Sequence, residues 1–83
     1  MKQGITNVRS LWAMSMDELR TFGDALIERM LSLKEGSFSG IVITRKLADV
    51  LEVIELRTPP HENGNYIAHL RRNIDRGCYK FRL

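Results

Sequence analysis

The chain has 83 residues, 43% hydrophobic and 28% charged, which is room for one domain with a thin core and a balance that argues against disorder of the whole. Its single cysteine excludes an intrachain disulfide, and no apolar run approaches the ~20 residues that span a bilayer. A core this thin and without a staple calls for tidy helix packing or a partner subunit, and a homodimer is expected.

At the N-terminus, Met1 to Ile5 hold one cation with no apolar stretch behind it, against a secretory signal, so the cytoplasm is the expected compartment. Residues 1–13 show no sustained period. Val8, Leu11 and Trp12 are read as a short apolar plug folding back on the core. At Ser15 the S-x-x-E spacing to Glu18 has the form of a capping box, with Met14 and Leu19 placed for the accompanying hydrophobic staple. Asp17 and Glu18 suit the positive end of the helix dipole. Leu19, Phe22, Leu26, Met30 and Leu33 then recur at spacings of 3, 4, 4 and 3, which predicts a helix over about 16–34 with Gly36 closing it. This stripe, with Met14 and Met16 beside it, is either core or, where one chain covers it only in part, the seam of a dimer. The residues assigned to that seam are Leu19, Phe22, Leu26, Met30 and Leu33.

Residues 35–40 form a connector. The β-branched Ile41-Val42-Ile43-Thr44 suits either a short strand or the first turn of a helix. With Thr44 as N-cap, the face Leu47, Val50, Leu51 and Ile54 predicts a second helix over about 45–56. Thr58-Pro59-Pro60 ends it. A hairpin at Asn63-Gly64 is rejected because two prolines stand on its N-terminal side. Asn65 is then the expected N-cap of a third helix, about 66–76, with Ile67, Leu70 and Ile74 facing inward and Gly77 closing it. Tyr79 to Leu83 alternates, and pairs as an edge strand with Ile41–Thr44 if those residues are extended. The predicted fold class is mainly α, a single three-helix domain over 1–83 with one short two-stranded pairing possible.

Charge is distributed unevenly along this plan. From Gly64 onward five cations (Arg71, Arg72, Arg76, Lys80, Arg82) face one anion, Asp75, whereas the first 63 residues hold eight cations and nine anions. A basic helical end on a near-neutral body points to an acidic partner, nucleic acid first. On the third helix Asn65, His69, Arg72 and Arg76 share one face at spacings of 4, 3 and 4. Arginine forks onto phosphate or guanine, and asparagine reads adenine. The competing view is a solvated helix face.

Thr44-Arg45-Lys46-Leu47-Ala48-Asp49-Val50-Leu51-Glu52-Val53 resembles the first helix of helix-turn-helix DNA-binding domains. His69 to Gly77 is similar to the end of a recognition helix leading into a wing that Tyr79–Leu83 would begin. The resemblance covers about residues 44–83. It departs from the family at Glu52, where a small residue is usual, and in the long insert carrying Pro59 and Pro60. It implies a winged helix with Asn65, His69 and Arg72 at the major groove.

Nothing in the chain requires an enzyme. His61, His69, Cys78 and Glu62 have no zinc-site spacing, Gly36–Gly40 lacks the lysine of a P-loop, and no base or orienter accompanies Cys78. No metal or other cofactor is expected. The function expected is a small dimeric DNA-binding regulator of transcription, phage or mobile-element-like in size and composition. It would touch double-stranded DNA through Asn65, His69, Arg71, Arg72, Arg76, Lys80 and Arg82. The alternative is a non-enzymatic adaptor or inhibitor, a compact helical dimer docking on an acidic partner protein.

Overall fold

The computed structural model describes residues 8–59 and 61–83, with side-chain burial from Ser10 onward; what was expected of Met1–Ile5, of the Val8 side chain and of Pro60 lies outside the described residues. Four helices follow in order: α1 (Val8–Trp12), α2 (Met16–Ser32), α3 (Phe38–Arg57) and α4 (Gly64–Phe81). The described residues contain no strand.

Helix α2 begins as its sequence predicts. The Ser15 hydroxyl accepts from the Glu18 N–H at 3.1 Å, and the Glu18 carboxylate accepts from the Ser15 N–H at 2.8 Å. This reciprocal cap satisfies two donors that the first turn leaves open. The helix stops at Ser32, short of the predicted 34, because Leu33 turns extended. Gly36 is therefore not its closing residue. It sits further along the connector at φ 75°, where its N–H donates to the Lys80 carbonyl at 3.2 Å and ties the connector to α4.

Helix α3 starts seven residues before the predicted 45, at Phe38, with Ser37 rather than Thr44 at the cap position. The β-branched run Ile41–Thr44 is helical, not a strand. Burial overrides its propensity: Ile43, Thr44 and Leu47 all enter the core, and the Thr44 hydroxyl donates back to the Gly40 carbonyl at 2.8 Å. Thr58 ends the helix, with Pro59 directly after it. Asn63, in the left-handed region at φ 57°, precedes α4, so Asn65 lies inside the first turn and is not the N-cap. Gly77 likewise does not close α4, which runs on to Phe81. It is buried against Thr44 and Met30, where any side chain would overlap them. With Tyr79–Phe81 helical, neither the edge strand nor a wing forms there.

The long helices pack up-down-up. Arg57 Nη1 donates to the Met14 carbonyl at 2.6 Å and Tyr66 Oη to the Arg20 carbonyl at 2.9 Å, joining the start of α2 to the end of α3 and the start of α4. At the other end Phe81 covers Gly40, and Lys80 reaches the last turn of α2. Leu19, Met30, Leu47, Val50, Val53, Ile54 and Leu70 are fully buried between the three, and Leu11 of α1 closes the core. Trp12 remains 44% exposed, with the Arg57 guanidinium over its ring, so of Leu11 and Trp12 it is Leu11 that serves as the plug.

Candidate nucleic-acid interface

Helix α4 is held by one face. Leu70, Asn73, Gly77 and Phe81 are buried against α2 and α3, with Tyr66, Ile67 and Ile74 half-buried around them. Asn73, the one buried side-chain amide among the described residues, is satisfied by donating to the His69 carbonyl at 2.9 Å. Tyr66 pins the first turn through its bond to the Arg20 carbonyl and a second, at 3.1 Å, to the Asp24 carboxylate. Burial pushes its phenol well above the usual tyrosine range; the hydrogen bond and negative charge of Asp24 add to this, and nearby Arg20 opposes it in part. Tyr66 is thus a neutral anchor.

The opposite face meets solvent. Asn65, His69, Arg72 and Arg76 are all exposed on it, and helical spacing carries the same line one step further to Tyr79, 90% exposed. This stripe of amide, imidazole, two guanidinium groups and a phenol is about 21 Å long. Neither Arg72 nor Arg76 forms an ion pair or side-chain hydrogen bond among the described residues. Asp75, also exposed, flanks the stripe one turn from Arg72 and Tyr79.

Three predicted contact residues are placed elsewhere. Arg71 points to the side and forms an ion pair with Glu55 of α3. Lys80 is folded inward, its ammonium donating to the Met30 and Leu31 carbonyls at 3.1 and 3.2 Å. It thereby caps the C-terminus of α2, where a cation is favoured by the dipole. Arg82 is exposed just past α4 at φ 61°. It lines an open groove of about 690 Å³ with Glu35, Asp75, Cys78, Tyr79, Lys80 and Leu83. Sequence reading assigned Tyr79 to a strand. The signal that would have found it is the continued spacing of 3 and 4 from Asn65, once Gly77 is allowed inside the helix.

Most of the stripe expected as a dimer seam packs inside the chain. Leu19, Leu26 and Met30 are core, and only Phe22 and Leu33 remain half-buried. No group of three or more His, Cys, Asp or Glu among the described residues is arranged to hold a metal ion, and no described helix is long and apolar enough to cross a membrane. Charge is polarised across the bundle. Helix α4 carries Arg71, Arg72, Arg76 and Lys80 against Asp75, while α2 carries Asp17, Glu18, Asp24 and Glu28 against Arg20 and Arg29. No protein-family model matches this chain, and no curated protein or solved structure matches it, so the functional reading rests on the site alone.

Proposed function

We propose that the protein is a small DNA-binding regulator that lays the solvent face of α4 against duplex DNA. One observation carries the reading: Asn65, His69, Arg72, Arg76 and Tyr79 form an unbroken exposed line, and its two arginines have no ion-pair or side-chain hydrogen-bond partner among the described residues. A major groove admits a helix of this width. Arg72 and Arg76 fork onto phosphate oxygens and Tyr79 donates to a third. Asn65 and His69, on the first turns, approach base edges, as the N-terminal residues of a recognition helix do. Arg82 extends the basic surface past the helix. Lys80 and Arg71 take no part, the first as a cap and the second as an ion-pair partner. The reading uses no wing, since Tyr79–Phe81 are helical.

The test is the Arg72→Ala/Arg76→Ala double variant, titrated against a labelled duplex over a range of salt. Loss of two phosphate contacts lowers affinity at least about tenfold and reduces the magnitude of the log–log salt slope by about two. Unchanged affinity and slope would contradict the proposal. An acidic protein captured through the same arginines, with no duplex bound, would assign this face to a protein partner instead.

A further inference from the structure

Helix α3 has a solvent face that the proposed DNA contact leaves unused. Phe38, Val42, Arg45, Asp49, Glu52 and Leu56 follow one another at spacings of 4, 3, 4, 3 and 4, the period of a coiled-coil seam. All are exposed except Asp49, which is half-buried. Phe38 is 77% and Leu56 67% exposed, values that leave a large apolar side chain bare at each end of the row. Between them lie one cation and two anions, and none of Arg45, Asp49 and Glu52 forms a side-chain hydrogen bond or ion pair among the described residues.

The order of these residues is self-complementary about the level of Leu47 at its central and end pairs, whereas the pair between them sets Val42 opposite Glu52. Arg45 and Asp49 stand two residues either side of it, Val42 and Glu52 five, and Phe38 and Leu56 nine. If a second copy of the helix is laid antiparallel on the first, each Phe38 meets a Leu56. Each Arg45 then faces the other copy's Asp49, with Glu52 one turn away. A two-fold axis makes every such contact twice, which is what an isologous interface requires. We infer that the α3 solvent face is the seam of a homodimer, two copies pairing their α3 helices antiparallel. The Arg45–Asp49 and Phe38–Leu56 pairs, each matched by the same residues of a second copy, argue for that copy as occupant, and the charge order sets its direction, because a parallel partner helix would put Arg45 against Arg45 and Asp49 against Asp49. The stripe expected on α2 offers less, since Leu19, Leu26 and Met30 are inside the chain and only Phe22 and Leu33 are half-buried. The inference does not depend on what α4 binds.

The experiment is sedimentation equilibrium on the full chain, with helicity checked by circular dichroism. Wild type is expected at twice its 9.6 kDa monomer mass at high micromolar concentration. Arg45→Asp alone and Asp49→Arg alone each place like charges opposite one another twice, and each raises the dimer dissociation constant at least about tenfold. Mixed in equal amounts, the two variants form a heterodimer, because both contacts are then between opposite charges. A monomeric wild type, a dimer indifferent to both reversals, or variants that fail to rescue one another would overturn the inference. So would a dimer lost on Phe22→Glu but retained in both charge variants.

Discussion

The Phe81 ring occupies the space that a side chain at Gly40 would fill, so the end of α4 is seated directly on the backbone of α3. Phe81 is 2% exposed although it lies two residues from the end of the sequence. Gly40→Ala is therefore expected to destabilise by about 1–3 kcal/mol through overpacking, against the ~1 kcal/mol that alanine ordinarily gains over glycine within a helix. Phe81→Ala, which empties the same contact, is expected to cost about 3–5 kcal/mol. Urea unfolding followed by circular dichroism measures both, and a stabilised Gly40→Ala variant would show that the contact is looser than described.

Lys80 and Arg76 are four residues apart on one basic helix yet have different work. Lys80→Ala is expected to cost about 1 kcal/mol of stability, through the lost cap on the Met30 and Leu31 carbonyls, and to leave the salt slope of duplex binding unchanged. Arg76→Ala is expected to do the reverse. Thermal melts beside binding titrations separate the two, and a fall in slope for Lys80→Ala would contradict its assignment as a structural cap.

These contrasts show where the sequence was legible. The start of α2 could be read because Ser15 and Glu18 decide it locally, whereas its apolar stripe, assigned to a dimer seam, proves to supply Leu19, Leu26 and Met30 to the core. The starts of α3 and α4 depend on tertiary contacts, which spacing does not display. Ile41–Thr44 are helical because Ile43 and Thr44 are buried, and Gly77 continues a helix because Thr44 and Met30 crowd it. The stripe of Asn65, His69, Arg72 and Arg76 was visible as periodicity on a helix whose expected inner face was only partly right: Leu70 is buried, but Ile67 and Ile74 flank a buried face completed by Asn73, Gly77 and Phe81. Tyr79 was missed through ending that helix at a glycine. The inward turn of Lys80 was illegible, since a lysine at this spacing reads the same whether it meets solvent or a neighbouring helix end.

Tyr66 supplies a pH signature. Its phenol holds its proton more tightly in the folded chain than an unfolded tyrosine does, through burial and then Asp24. The resulting stability is fully present below the ordinary tyrosine value of about 10 and is lost as pH rises beyond it. Tyr66→Phe is expected to be about 1 kcal/mol less stable near neutrality, for want of the bonds to Arg20 and Asp24. The gap should close on raising the pH through the alkaline range. Melting temperatures of both proteins across that range test this, and a gap that stays constant with pH would rule it out.

Whether α4 presents its solvent face to DNA is decided by fluorescence anisotropy of a labelled random duplex at several salt concentrations. With Arg72, Arg76 and Arg82 as the cations free to displace counterions, micromolar binding at low salt with a log–log slope of about −2 to −3 per docked chain is predicted. No binding at low salt, or binding that salt does not weaken, would contradict the account.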